Sequence, residues 1–404
     1  MKERIKKTYI YKKMPDDWKN KFKKAYHIAK KDGYCSNEAT DYLIEKKNKK
    51  LSISFIIPQP IIGSGGHRNI YRIVRYLSNN DYDVTCYVDP EDYNNPNSVK
   101  SGQEAYHKIT NNFFDLGCSI IFGLTNIKEC DVLFATHAGS AYAVKDNLHK
   151  TKLGCYFIQD FEPYFQPMGD GYIGALNTYK FGLYPITSGP WPLALLKRDF
   201  GYKRGEFFRF PINTDIYYYN ENDFKDNNKI VFFAKPSMPR RCYRLGIDAL
   251  NLVKMKHPEI EIVLYGENGS HYKDVPFEFT NVGLAPKIED LGNLYRSAGI
   301  GVAFSTTNPS LVPYEMMACG VAVVDLDFNN SVVSYDSYDN AMLVDTTPQA
   351  VAEGIIKLIE SSELLTQKRE NGLKFCKQFP SEDEMCKLIE GYILKEYKRV
   401  SKEK

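Results

Sequence analysis

A succession of short apolar runs, most of them separated by intervals of helical length, constrains this chain more than any other feature. One series comprises Ser52 to Ile57, Asp83 to Val88, Ser119 to Phe122, Asp131 to Thr136, Gly154 to Gln159 and Leu183 to Thr187. A second comprises Ile230 to Ala234, Ile260 to Tyr265, Asn281 to Leu284, Ile300 to Ser305, Val321 to Asp325 and Met342 to Asp345. Runs apolar throughout, rather than alternating, belong to strands buried on both faces, as in parallel sheets covered by helices. Strand and helix in this alternation predict α/β architecture with two tandem Rossmann-like domains. A length of 404 residues with 43% hydrophobic content suffices to give each a core. The expected division is a basic helical extension over residues 1–50, an N-terminal Rossmann-like domain over 51–220, a C-terminal Rossmann-like domain over 221–380, and a C-terminal helix over 381–404 that crosses back to the N-terminal domain. The polar stretch Tyr217 to Asn228 is the expected linker. Ligands in such folds sit beyond the carboxyl ends of strands, so the residues there are the ones that bear on function.

Charge narrows the partners. The formal net charge is only +3, which argues against a nucleic-acid clamp. It is unevenly spread: residues 1–50 carry fifteen Lys and one Arg against seven acidic residues, a net +9, which leaves −6 for the remainder. Asp16 to Lys31 places Trp18, Phe22, Ala25, Tyr26 and Ala29 on one helical face and lysines on the other. A second short helix is expected from a Ser36 or Asn37 cap towards Lys47. Such a basic face is either a solvated packing extension or a surface for anionic lipid headgroups, where each lysine adds about 1 kcal/mol. No apolar run approaches the roughly eighteen residues of a membrane span, so membrane contact is expected to be peripheral, at the inner face of the cytoplasmic membrane. Nine cysteines, an odd number without a C-x-x-C, argue against a disulfide framework and a zinc site and favour the cytoplasm. A homodimer is left open.

Five strand ends carry chemistry. The first strand runs into Gly63-Ser-Gly65-Gly66-His67-Arg68 and a helical pattern, an arrangement that lets a diphosphate approach backbone amides. It lacks the G-x-G-x-x-G spacing of nicotinamide enzymes and the Gly-Lys-Ser/Thr of a Walker loop. Arg68 at the helix start favours anion contact. At the fourth strand's end, His137 in Thr-His-Ala-Gly-Ser can bond a sugar hydroxyl, act as acid or base, or simply bond backbone. The fifth strand delivers Gln159-Asp160-Phe-Glu162-Pro-Tyr164, acids interleaved with aromatics as in carbohydrate sites. Asp160 is the first choice for acceptor ligand or base, with Glu162 and Tyr164 as acceptor contacts. In the second series, Lys235-Pro-Ser-Met-Pro-Arg240-Arg241 crowds cations beyond a strand end, a costly grouping unless a polyanion is shared. Finally, Asn308-Pro-Ser310-Leu311-Val-Pro-Tyr-Glu315-Met-Met-Ala-Cys-Gly320 reads as a short helix opened by Ser310 and Pro313 and closed by Gly320, with Glu315 one turn in.

Taken in order, the glycine loop, strand-end histidine, basic loop and Glu-Met-Met-Ala-Cys-Gly-Val-Ala-Val-Val resemble the family-4 retaining glycosyltransferases of the GT-B fold, over roughly Leu51 to Lys404. The Gln159 to Pro163, Lys235 to Arg241 and Pro309 to Glu315 stretches look most like rhamnosyltransferases of the WsaF type, which also carry an extra N-terminal helical segment. The resemblance implies a nucleotide-sugar donor, dTDP-rhamnose, and a growing cell-surface glycan or lipid-linked oligosaccharide as acceptor, with no metal or other cofactor. It implies that Lys235 with Arg240 or Arg241 binds diphosphate, that Ser310 and Leu311 offer amides to phosphate, that Glu315 holds the ribose or deoxyribose, that the Leu284 to Lys287 loop meets the base, and that His137 sits by the transferred sugar. Catalysis would rest on His137, Asp160, Lys235 and Arg241, and donor binding also on Gly65, Gly66 and Arg68. One position departs from the pattern. Where the family has the first of two paired glutamates, this chain has Thr307, whose neutral hydroxyl supplies no carboxylate, so a 6-deoxy sugar fits better than a hydroxyl-rich hexose. Three other readings stay open: a metal-dependent transferase using Asp325-Leu-Asp327, a nucleotide-sugar epimerase, and a non-catalytic glycan-binding scaffold.

Overall fold

The computed structural model of the protein describes residues 40–44, 51–90, 97–223 and 225–402. The basic helix expected over Asp16 to Lys31 lies outside them. Of the second short helix only its middle is described, and there the expectation fails: Tyr42 forms an antiparallel bridge with Ile120 instead of a helical turn. The two residues exchange both amide bonds, at 3.0 and 2.7 Å, and Asp41 Oδ1 accepts from Phe122 N. The cause is nonlocal, since the outer strand of a sheet has amides and carbonyls to satisfy and this segment satisfies them.

The chain divides into two compact units, residues 1–154 and 155–404. In the first, β1 (Ser52–Ile57), α1 (Gly65–Asn79), β2 (Asp83–Val88), α2 (Gly102–Asn112), β3 (Ser119–Phe122), β4 (Cys130–Ala135) and α3 (Ala138–Asp146) follow in sequence. The strands are parallel in the order β3-β2-β1-β4, and Phe55 of β1 stacks on its register partner Phe134 of β4 at 4.6 Å. The helix pattern after the glycine loop is genuine, with Ile70, Ile73, Val74 and Leu77 of α1 buried against the sheet.

The strand β5 (Thr151–Ile158) leads into the second unit. There follow α4 (Asp170–Thr178), β6 (Tyr184–Ser188), α5 (Pro190–Phe200), β7 (Glu206–Phe208), β8 (Asp226–Phe233), α6 (Tyr243–Lys256), β9 (Glu261–Tyr265), β10 (Thr280–Gly283), α7 (Ile288–Ser297) and β11 (Ala298–Val302). Then come α8 (Val312–Ala318), β12 (Ala322–Leu326), α9 (Val332–Tyr335), β13 (Met342–Val344), α10 (Pro348–Glu360), α11 (Ser362–Cys376) and α12 (Glu382–Lys402). β5, β6 and β7 pair in parallel, and β8 to β13 form a six-stranded parallel sheet in the order β10-β9-β8-β11-β12-β13. Alternate residues of β8 serve opposite faces: Ile230 and Phe232 pack with Leu250 and Val253 of α6, while Val231 packs with Tyr295 of α7 and Met316 of α8. This two-sided burial is why the strands read as unbroken apolar runs.

One local expectation shifts. The polar stretch Tyr217 to Asn228 is no free linker, because its last residues already belong to β8, Tyr217 is buried on Tyr295, and Lys225 Nζ donates to the carbonyls of Tyr295, Ala298 and Cys319. Its lysine is spent on orphan carbonyls inside the fold. The final helix is as expected, with Glu382, Asp383 and Glu384 in its first turn and Arg399 and Lys402 in its last, matching the macrodipole. α12 returns to β7, where Tyr392 donates to Phe207 O at 3.1 Å and Lys395 pairs with Glu206 at 2.9 Å. Among the described residues no helix is long and apolar enough to cross a membrane.

The contact of residues 41–42 with β3 requires a glycine at the start of α2: a Cβ on Gly102 would lie 2.2 Å from Ile120 O and 3.0 Å from the Asp41 Cα. Gly102→Ala should therefore cost about 1–3 kcal/mol and lower the melting temperature measured by circular dichroism. An unchanged melting temperature would show that this segment does not rest on β3.

Candidate functional site

In the second unit, three loops at strand ends converge on one carboxylate. Asp160 follows β5 directly, and its Oδ1 accepts from Phe161 N at 2.7 Å and from Asn308 N at 3.0 Å, while its Oδ2 accepts from the Thr307 hydroxyl at 3.0 Å. Asn308 fixes the approach with its own amide, donating to Gln159 O at 2.9 Å and Ser188 O at 2.7 Å. Thr307 thus loses its expected significance as a mere gap. A carboxylate does stand at this loop, delivered by β5 instead of by position 307, a pairing across 147 residues that no local pattern reveals. Burial raises the Asp160 pKa above the ordinary carboxylate value, opposed by these hydrogen bonds and by the Arg240 charge.

The basic loop after β8 is pinned to the same place. Arg240 O accepts from Thr306 N at 3.1 Å, and its guanidinium lies 4.8 Å from the Phe165 ring. Arg241 is only 7% exposed and donates through Nη1 to Ser305 Oγ at 2.7 Å and Phe304 O at 3.3 Å. Burial, and then Arg240, lower its pKa, while Asp160 and Asp325 raise it. A buried ion costs several kcal/mol unless it is compensated, and those two carboxylates offset part of that cost. Arg240 Nε, Arg241 Nε and Ser310 Oγ are buried without hydrogen-bond partners among the described residues. Each such orphan costs about 1–3 kcal/mol, and a bound anion would relieve the arginines. Asp325, by contrast, is sealed inside the core, at 0% exposure: it accepts from Ser305 N, Leu326 N and Tyr335 OH at 2.9, 2.8 and 2.6 Å, and burial pushes its pKa up to about 7. It is a core strut that joins the end of β11 to α9.

Further along the same sheet, the remaining residues singled out from the sequence line its carboxyl ends. Lys235 Nζ lies 5.8 Å over the Phe233 ring, and its charge helps hold the Glu267 carboxyl below the ordinary range, after the larger effects of bonds from Ser237 and Asn268 N. Glu267 was not legible as a site residue, because it follows β9 in a stretch without motif. Leu284, just past β10, is 63% exposed. The short helix starts at Val312, with Leu311 and not Ser310 at its cap, so no side-chain oxygen caps its amides, and Gly320 closes the turn at φ +73 as expected. Glu315 is partly buried, its carboxylate has no hydrogen-bond partner among the described residues, and burial raises its pKa to about 7. It lies within electrostatic reach of the Tyr217, Tyr265 and Tyr295 hydroxyls. Glu162 turns to the interior, where Tyr156 OH donates to it at 3.2 Å, whereas Tyr164 stays exposed beside Asn329.

The first unit gathers a second group at the ends of β1, β2 and β4. His137 caps α3, and its Nε2 lies 3.2 Å from Asp89 Oδ2. Asp89 O accepts from Gln59 Nε2 at 3.0 Å, and Gln59 O meets His67 Nε2 at 2.8 Å. Burial, chiefly, lowers the His67 pKa, and the His137 charge lowers it further. Asp89 is the residue sequence reading missed here, since only the sheet brings it to His137. Gly65 and Gly66 begin α1, and open space lies where a Gly65 Cβ would point. Arg68 extends to the Phe113 ring, 5.6 Å from its centroid.

Comparison with known proteins bears on both units. Solved structures similar to this chain include Anabaena HepE in complex with UDP (13% identity, TM-score 0.64, 85% of this chain and 100% of that one). Another is sucrose-phosphate synthase from Thermosynechococcus elongatus (15%, 0.59, 86% and 99%), and a third is WaaG, a glycosyltransferase involved in lipopolysaccharide biosynthesis (13%, 0.54, 83% and 98%). The fold is GT-B. A family model described as WsaF, C-terminal domain, matches residues 228–356, which hold Lys235, Arg240, Arg241, Leu284, Ser310, Leu311 and Glu315. The chain is also 29% identical over 274 residues to the O-antigen biosynthesis protein RfbC of Myxococcus xanthus, a match covering 66% of this chain and 21% of that protein. The chain therefore spans about a fifth of the length of that relative.

Glu315 gives the site a testable electrostatic signature. Its carboxyl carbon, followed by NMR in the unliganded protein, should titrate with a midpoint near 7. A midpoint in the ordinary carboxylate range would contradict the desolvated setting assigned to it.

Proposed function

We propose that the chain is a glycosyltransferase that moves a sugar, rhamnose from dTDP-rhamnose, to a growing cell-surface glycan or lipid-linked oligosaccharide. In this reading transfer is metal-independent and proceeds with retention. The donor is held by the 221–380 region and the acceptor by the 51–220 region. The observation that carries the proposal is the meeting of a carboxylate, two arginines and a loop with buried orphan groups at the carboxyl ends of parallel strands, where α/β folds bind ligands. The WsaF-like stretch and the O-antigen biosynthesis relative support the choice of substrate class, as does HepE, whose structure holds UDP on the same fold.

Each residue then has a role. Lys235, Arg240 and Arg241 stabilise the charge that grows on the leaving nucleoside diphosphate, and the amides of Ser310 and Leu311 complete the phosphate contacts. Glu315 accepts from the deoxyribose, and Leu284 covers the base. Gly65, Gly66 and Arg68 are the further donor contacts in this reading. The acceptor hydroxyl attacks the anomeric carbon as the bond to the diphosphate breaks, and its proton passes to the departing phosphate. Asp160, Tyr164 and His137 orient the sugars, His137 being steadied by Asp89. Glu162, as the structure places it, would act by holding Tyr156 and the loop after β5. A basic N-terminus would bring the enzyme to the membrane that carries such acceptors.

Several outcomes test this. Lys235→Ala and Arg241→Ala should each reduce turnover at least about tenfold, equivalent to roughly 1.4 kcal/mol, measured as nucleoside diphosphate released in the presence of acceptor. Wild-type rates in both variants would remove the diphosphate assignment. EDTA should leave the rate unchanged, and its abolition by EDTA would revive the metal-dependent reading. In thermal-shift assays dTDP should stabilise the protein more than UDP or GDP, by about 2.7 kcal/mol at one hundred times its dissociation constant. A stronger response to UDP or GDP would overturn the rhamnosyl donor while leaving the transferase reading intact.

A further inference from the structure

Asp160 is held in a way that its own position in the sequence does not explain. It follows β5, yet the groups that grip its side chain come mainly from the loop after β11. A carboxylate offers about four lone-pair sites. Oδ1 takes two amide hydrogens, from Phe161 and Asn308, and Oδ2 takes the Thr307 hydroxyl, which leaves one site on Oδ2. The two gripping residues are themselves fixed. Thr307 and Asn308 are buried, at 4% and 8% exposure. The Asn308 side-chain amide spends both its hydrogens on the carbonyls of Gln159 and Ser188, at 2.9 and 2.7 Å. The loop cannot slide without breaking all of these bonds.

We propose that Thr307 and Asn308 are positioning residues for Asp160, which aim the carboxylate and leave a single lone pair of Oδ2 to receive one hydroxyl of the sugar substrate. The inference rests on the assignment of Asp160 to the transferase site and adds to it the reason for a threonine at 307. A hydroxyl there serves the carboxylate that β5 brings, whereas a second carboxylate at 307 would repel it at this distance. Because only one site on Asp160 is open, it selects for one correctly placed hydroxyl, a device suited to distinguishing sugars that differ in the position of a single hydroxyl. The charged groups facing Asp160 are Arg240 and Arg241 from the loop after β8, and the Tyr179 hydroxyl, which donates to Asp160 O at 3.5 Å, from the end of α4. The Thr307 bond favours the ionised carboxylate and works with Arg240 against burial.

The decisive variant is Thr307→Val, which keeps the shape and removes the hydroxyl. Its kcat/KM for sugar transfer should fall about tenfold, the size of a lost charge-assisted hydrogen bond. The acidic limb of its pH profile should move to higher pH, because the lost bond favoured the charged form. Its affinity for the nucleoside diphosphate alone, measured by calorimetry, should match the wild type, and Thr307→Ser should restore both rate and limb. In an Asp160→Asn background Thr307→Val should cost nothing more, since a residue that acts through Asp160 has nothing left to position. A wild-type rate and limb in Thr307→Val, or a full additional loss on top of Asp160→Asn, overturns the proposal. If Thr307→Val does not fold, Thr307→Cys, with its poorer donor, replaces it: a smaller shift in the same direction supports the proposal and an unshifted limb overturns it. A wild-type protein that turns over no nucleotide sugar would instead remove the functional reading on which the inference rests.

Discussion

Two hydrogen bonds to the Asp160 carboxylate, from Thr307 and Asn308, tie the end of β5 to the loop after β11, and much of the candidate site depends on them. The same loop wraps the Arg241 guanidinium, so the position of the cation and the position of the anion are set together. Neither charge is tolerable alone. An arginine at 7% exposure loses several kcal/mol of hydration, which neutral partners such as Ser305 and Phe304 O return only in part. The charges of Asp160 and Asp325 offset part of the rest, and burial still leaves the Arg241 pKa lowered. Parallel strands make this arrangement accessible, because their carboxyl ends lie side by side and every loop leaving them starts in the same small region.

Asp325 and Lys225 show how the fold distributes polar groups that its apolar strands cannot satisfy. Asp325 ends β12 and joins backbone amides of two elements to the Tyr335 hydroxyl, while Lys225 closes three carbonyls at helix and strand ends. Both residues look functional in a list of buried ionisable groups and both are structural. Glu315 differs in the one respect that matters: it is similarly desolvated but its carboxylate accepts no hydrogen bond from the described residues. Burial with partners holds a fold together, and burial without them leaves a group available to a ligand.

Most of the architecture was legible in the sequence, because unbroken runs such as Ile230 to Ala234 or Val321 to Asp325 can be buried on both faces only in a helix-covered parallel sheet. β7 was not, since Glu-Phe-Phe is too short to show a period. Nor was the bridge of Tyr42 to β3, which local composition disguised as a helix and the unpaired amides of a distant strand decided. Candidate residues at strand ends were legible as chemistry: Asp160, Arg240, Arg241 and His137 all stand where ligands bind in such folds. Their partners were not. Asp89 for His137, Thr307 and Asn308 for Asp160, and Glu267 for Lys235 lie tens to well over a hundred positions away, and only the pairing of strands puts them together. Thr307 is the sharpest case, a residue that reads as the loss of a carboxylate and turns out to hold one.

The central claim is that the strand-end cluster of the second unit, from Lys235 through Arg241 to the Ser310–Glu315 stretch, binds a nucleoside diphosphate. A crystal structure of the protein soaked with dTDP tests it most directly. The account predicts phosphate oxygens within hydrogen-bond distance of Lys235 and at least one of Arg240 and Arg241, with the sugar of the nucleoside against Glu315. Density for dTDP elsewhere, with those cations and Glu315 unchanged and unliganded, would contradict it.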